Sequence, residues 1–256
     1  MKLPARRPVA PAGTVAALAL VAWSVTTPAR AQIMENFNDP NNLLNRGWVK
    51  VNNSVNPNIA LDKSWGPPIP GTVGTFNPPP SPPDNSYWAT DITATNDIST
   101  SGVTISDWLM SPVTALTNGT VVSFFTTSHS PEEGPSRMEI RVSTNGSSTN
   151  AGTTPDSVGD FTILLRSINP NLDKNVYPVT WTQFTDTLTG LSGPTTGRIA
   201  FRYYVTNSGI NAPNGDTIAL DSVSVNPVPE PATLALTAAA LPGLAWAVRR
   251  KRKSAE

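Results

Sequence analysis

Between residues 32 and 226 the chain alternates apolar and polar side chains in short runs with a period of two. Arg137-Met138-Glu139-Ile140-Arg141-Val142 sends its apolar side chains to one face and its charges to the other, the pattern of a half-buried strand. The run from Arg198 to Val205 repeats it, with Ile199, Phe201, Tyr203 and Val205 on one face and Tyr204 on the other. One of the two tyrosines is therefore expected in the core and the other at the surface. Residues 217–225 form a third run, whose phase changes near Asp221 and predicts a bulge. Further strands are predicted at 33–38, 47–51, 86–90, 120–127, 160–168 and 180–188. No interval carries ten residues of helical periodicity. Many short strands separated by Gly, Pro, Asn and Asp predict an all-β domain, a sandwich of antiparallel sheets. Trp108 and the Phe124-Phe125 pair are its expected core anchors, because large aromatics bury the most apolar area.

The two ends break this pattern. Lys2, Arg6 and Arg7 precede an apolar stretch at 14–25, and Ala29-Arg30-Ala31 supplies the small residues that a signal peptidase reads. Residues 1–31 are thus expected to be a signal peptide, cut after Ala31 to leave Gln32 as the mature N-terminus. At the other end, Val228-Pro229-Glu230-Pro231 is followed by residues 232–248, which carry no charge, and then by Arg249-Arg250-Lys251-Arg252-Lys253. The uncharged stretch is at the short end of what spans a bilayer core of about 30 Å, so one C-terminal transmembrane helix is predicted there. The basic tail at 249–253 cannot cross and pairs with anionic headgroups on the cytoplasmic side.

That tail at 227–256 resembles the PEP-CTERM sorting signal of Gram-negative bacteria, in which a membrane-embedded exosortase recognises the Pro-Glu-Pro motif and processes the chain. The resemblance spans residues 228–253 and implies export, anchoring in the inner membrane, and then sorting to the cell envelope, cell surface or extracellular matrix. An ordinary anchor that is never cut reads the same residues as a permanent tether.

With the ends set aside, the net charge of zero changes meaning. Nine of the 18 basic residues lie in the two targeting ends, so residues 32–231 hold nine bases against 17 acids, a net charge of −8. An acidic surface disfavours nucleic acid. The chain has no cysteine, which removes disulfides, thiolate nucleophiles and thiolate metal sites together. Residues 66–83 contain eight prolines and are expected to form a surface loop inside the domain at 32–226.

Several stretches in order resemble the choice-of-anchor J family. They are Glu35-Asn36-Phe37, Gly47-Trp48, Asp107-Trp108-Leu109-Met110-Ser111-Pro112, Phe124-Phe125, residues 140–146, Trp181, residues 198–202 and Ala219-Leu220-Asp221-Ser222-Val223. The Pro-rich insertion depart from that pattern, as does Ser222, where the family usually has a second Asp. The resemblance implies a jelly-roll-like, adhesin-like or carbohydrate-binding-like sandwich, with its first and last strands side by side. Glu35 would then approach Asp221, with Asp39 within reach, and the three could hold a structural Ca²⁺. Otherwise Asp221 caps the bulge and Glu35 is an exposed strand residue. Trp48, Trp65 and Trp88 read as core or as sugar-stacking platforms, and Trp65, beside the Pro-rich loop, is the candidate ligand-binding residue.

Catalysis finds little support. His129 is the only histidine and falls in a loop, so two-histidine metal sites are excluded. No Gly-x-Ser-x-Gly elbow occurs, and no carboxylate pair is singled out for glycoside hydrolysis. The expected role is non-catalytic: binding, adhesion or structure at the cell surface or in an exopolysaccharide matrix. Its processing partners would be signal peptidase and an exosortase. A tethered glycan-binding domain and a glycan-active hydrolase are the alternatives.

Overall fold

The computed structural model describes residues 32–67, 76, 80, 86–99, 102–129 and 134–228. The signal peptide with Ala29 and Ala31, Pro229-Glu230-Pro231, the expected span at 232–248, the basic tail at 249–253 and most of the Pro-rich stretch lie outside these residues. Eleven strands and no α-helix are found among them. They are β1 (Ile33–Glu35), β2 (Val49–Asn52), β3 (Trp88–Thr90), β4 (Val103–Met110), β5 (Thr114–Leu116), β6 (Val121–Ser128), β7 (Met138–Ser143), β8 (Ile163–Ile168), β9 (Thr182–Thr187), β10 (Thr195–Ser208) and β11 (Ile218–Asn226). No helix among the described residues is long and apolar enough to cross a membrane.

The strands pair antiparallel in two sheets. One has the order β1-β11-β6-β9, with β3 sharing the β1 edge of β11; the other has the order β2-β4-β10-β7-β8, with β5 extending beside β10. Nearly every connection crosses from one sheet to the other, which is the connectivity of a jelly roll. The first and last strands are neighbours, with Glu35 opposite Val223. The expected bulge is present: the β11–β6 register shifts between Asp221 and Ser224, and Ser222 sits in the left-handed region at φ 51°.

The sheets meet through the alternating faces read from sequence. Ile199, Phe201, Tyr203 and Val205 are all fully buried, and the Phe201 ring meets that of Phe124 edge-on at 5.2 Å. Phe124 is core as expected, whereas Phe125 is half-buried on the opposite face of β6. A second apolar layer lies outside the six-stranded sheet. There Trp108, Met110 and Ala200 are covered by Ala151 and Phe161 from the β7–β8 connection. With both faces covered, β4 shows little polar alternation, which is why it escaped a strand assignment from pattern alone.

Arg202 points into this outer layer. Its guanidinium lies between the Trp108 ring at 4.7 Å and the Tyr204 ring at 3.7 Å, and donates to Glu139, Ser106 Oγ and Pro155 O. Burial disfavours the Glu139 charge, but the hydrogen bond from Arg141 and the charges of Arg202 and Arg141 outweigh it and hold this carboxyl below its usual range.

At Gly197, where β10 passes between β5 and β7, an added Cβ would collide with the Ser143 carbonyl and lie 2.8 Å from Leu116 Cδ1. The Ser143 backbone, held in the ladder between β7 and β10, cannot yield, so Gly197→Ala is expected to cost about 3 kcal/mol. That corresponds to a melting temperature lower by roughly 6–12 °C, checked by calorimetry.

Candidate functional site

At the edge of the six-stranded sheet, β2 carries polar residues on its inward face. Lys50 pairs with Leu109 and Asn52 with Asp107 across the β2–β4 ladder, so all four share the face that Phe201 and Tyr203 occupy on β10. Residues 53–66 fold back over this corner. Asn56 and Asp62, at φ 43° and 49°, make the tight turns, and the segment pairs with Ala94, Asn96 and Ala89 through backbone hydrogen bonds.

Asp107 ties the corner together. Its carboxylate accepts from Ser64 Oγ at 2.5 Å, Trp65 N–H at 2.9 Å and Thr90 Oγ1 at 2.6 Å. The Trp65 indole N–H returns to the Asp107 carbonyl at 3.1 Å. Complete burial pushes the Asp107 carboxyl up to about 7, against the pull of these hydrogen bonds and of the Lys50 charge. Outside Ser64 an open groove of about 240 Å³ is lined by Lys50, Asn52, Asn58, Ile59, Asp62 and Ser64. Lys50 Nζ is bound by both oxygens of Asp62, at 2.7 and 2.8 Å, and by Trp65 O at 3.3 Å. The Ser64 proton is held by a carboxylate that is itself fully buried and bonded to Trp65 and Thr90, and His129 is exposed elsewhere beyond β6. The arrangement is suited to binding.

No family model and no curated protein matches the chain. Among solved structures it is similar to two cleaved adhesin domains of Lys-gingipain from Porphyromonas gingivalis. One is 18% identical with a TM-score of 0.48, covering 78% of this chain and 99% of the other. The second is 15% identical with a TM-score of 0.49, covering 77% and 100%. A Stig cyclase from Fischerella sp. TAU is similar at 12% identity and a TM-score of 0.41, covering 78% and 100%.

The residues expected from sequence to form a site are placed differently. Trp65 is fully buried, with its indole N–H spent on Asp107, so it is not a surface for stacking sugars. Trp48 and Trp88 are also core. Glu35 is buried rather than exposed, and both its oxygens take the Arg46 guanidinium, at 2.9 and 3.0 Å. Asp39 joins the same arginine through its carbonyl at 3.1 Å. A cation, Arg46, therefore already stands between the two acids. Asp221 is buried at the bulge, where Oδ1 accepts from Ser222 N–H at 2.6 Å. Among the described residues no group of three or more His, Cys, Asp or Glu could hold a metal, so the proposed Ca²⁺ set of Glu35, Asp39 and Asp221 is not assembled. The groove residues were not foreseen. The one readable signal was Asp107, an acid at a core-facing position between Ile105 and Leu109.

The Asp107 shift has a definite sign. Its folded value lies above the ordinary 3.8, so between about pH 4 and 7 the unfolded chain binds fewer protons and stability falls as pH rises. Glu139, shifted the opposite way, acts below this window. Urea titrations are expected to find the protein more stable at pH 5 than at pH 7.5, by on the order of 2 kcal/mol. In Asp107→Asn that difference should vanish; equal slopes in both proteins would contradict the assignment.

Proposed function

We propose that this protein is an exported β-sandwich sorted to the cell surface or exopolysaccharide matrix of a Gram-negative bacterium, where it acts by binding and not by catalysis. In this reading a signal peptidase releases Gln32. The 232–248 span and basic tail then hold the chain in the inner membrane until an exosortase acts at Pro229-Glu230-Pro231. One structural observation supports it: the chain is still packed on the sandwich at Val228, the residue before the sorting motif. Beyond β11, Val228 O accepts from Thr117 Oγ1 at 3.1 Å, and its side chain lies over Gly119, where an added Cβ would stand 3.4 Å from Val228 Cγ2. The next residue is the first proline of the motif. The groove beside β2 and the resemblance to the choice-of-anchor J family support the binding part.

Replacing Pro229, Glu230 and Pro231 together by alanine is expected to leave the full-length chain, basic tail included, in the membrane fraction. Mass spectrometry of the C-terminus, with fractionation of cells carrying either form, checks this. Identical processing and location for both would refute exosortase sorting, and an intact tail on the unaltered protein would favour the permanent tether.

A further inference from the structure

In a chain without cysteine, side-chain amides are groups that can react with their own backbone. The most reactive setting is Asn-Gly, where the glycine nitrogen, unhindered by a side chain, attacks the Asn carboxamide, expels ammonia and leaves a succinimide. Three such pairs occur, at Asn118, Asn145 and Asn214, and the fold restrains each one. The Gly119 N–H donates to Leu188 O at 2.8 Å, the Gly146 N–H to Thr196 O at 3.1 Å and the Gly215 N–H to Pro135 O at 3.0 Å. The Asn side chains are held as well. Asn118 bonds both ways to the Leu191 backbone, Asn145 donates to Asp160, and Asn214 donates to Thr206 O. Attack would break both restraints at once.

Gln32 is under no such restraint. It is exposed, directly ahead of β1, and no hydrogen bond to its carboxamide is found among the described residues. The strand that follows is fixed, with Ile33 opposite Val225 and Glu35 opposite Val223. Release of residues 1–31 by a signal peptidase would turn the Gln32 nitrogen from an amide into an amine. An α-amino group loses its proton near pH 8 and is then a nucleophile. The carboxamide carbon lies on the same residue, so ring closure is intramolecular and gives an unstrained lactam. The amine nitrogen bonds to Cδ, the Cδ–Nε2 bond breaks, and Nε2 departs as ammonia with a proton given up by the amine. Nothing is oxidised or reduced, and no co-reactant is consumed.

We propose that the mature chain is closed at its N-terminus by cyclisation of Gln32 to pyroglutamate, a cap that keeps exopeptidases from β1. The proposal rests on the signal-peptidase step of the reading above. Ile33 and Glu35 are buried, so trimming past Gln32 would remove a core side chain and then the partner of Arg46. The ring fixes its own backbone torsion as that of proline does, which an exposed residue outside the ladder accepts.

The test uses the exported protein purified from its own cells, digested in mild acid and mapped by mass spectrometry. A synthetic Gln-Ile-Met-Glu-Asn-Phe peptide goes through the same steps. The expected N-terminal peptide starts at Gln32 and is lighter by one ammonia in most molecules, while the synthetic peptide stays largely open. Aminopeptidase should leave the native protein whole and take at least the first residue from Gln32→Ala, whose side chain cannot close the ring. A peptide that starts at Gln32 with its full mass overturns the cyclisation and leaves the export reading standing. So does closure no more complete than in the synthetic peptide. Native protein shortened as readily as the variant overturns the cap. A peptide starting at any other residue overturns the cleavage after Ala31 and the proposal together, and that first residue tells the two failures apart.

Discussion

One buried carboxylate, satisfied by hydrogen bonds and not by an ion pair, holds the corner of this fold beside β2. Asp107 stands in the middle of β4, yet its oxygens reach Ser64 and Trp65 on the folded-back segment and Thr90 on β3 of the other sheet. Any of these pieces moving away would leave a buried acceptor without its donor. The segment 53–66 is thereby fixed over the open edge of the sandwich, and with it Asn58, Asp62 and Ser64. The groove exists because the carboxylate behind it does.

The outer layer solves the reverse problem, a buried cation. Arg202 is 1% exposed and is accommodated by two aromatic faces, Glu139 and a loop carbonyl. That network fastens the β7–β8 connection across the sheet, where Asn53 Nδ2 also reaches Ala151 O and Gly152 O. In a chain without cysteine, such polar clasps over an apolar layer hold the loops that disulfides tie down in other small domains.

What could be read in advance follows from how far apart the interacting residues are. The faces of β7, β10 and β11 were legible because period-two alternation is local, and so was the bulge at Asp221, where the phase slips. Strand β4 was not, because Trp108 and Met110 are covered on one side and Ile105 and Leu109 on the other. Glu35 was read as a metal ligand because nothing in its neighbourhood announces Arg46, which returns to it through two short 3₁₀ turns. Trp65 was misplaced for the same reason: its partner lies 42 residues away. The groove depends on contacts of that kind throughout.

The place of β11 has a mechanical side. It is flanked by β6 along most of its length and by β1 and β3 on its other edge. A pull delivered at Val228 on the body of the domain runs along the strand axis and must shear all three ladders together. Because Ile33 lies opposite Val225, the first and last strands begin and end at one pole, and tension between Ile33 and Val225 would instead unzip β1 from β11 pair by pair. Resistance to force is a matter of unfolding rate, and these two directions present the same hydrogen bonds to it in parallel or in series. A grip at the C-terminal end alone engages the sturdier geometry.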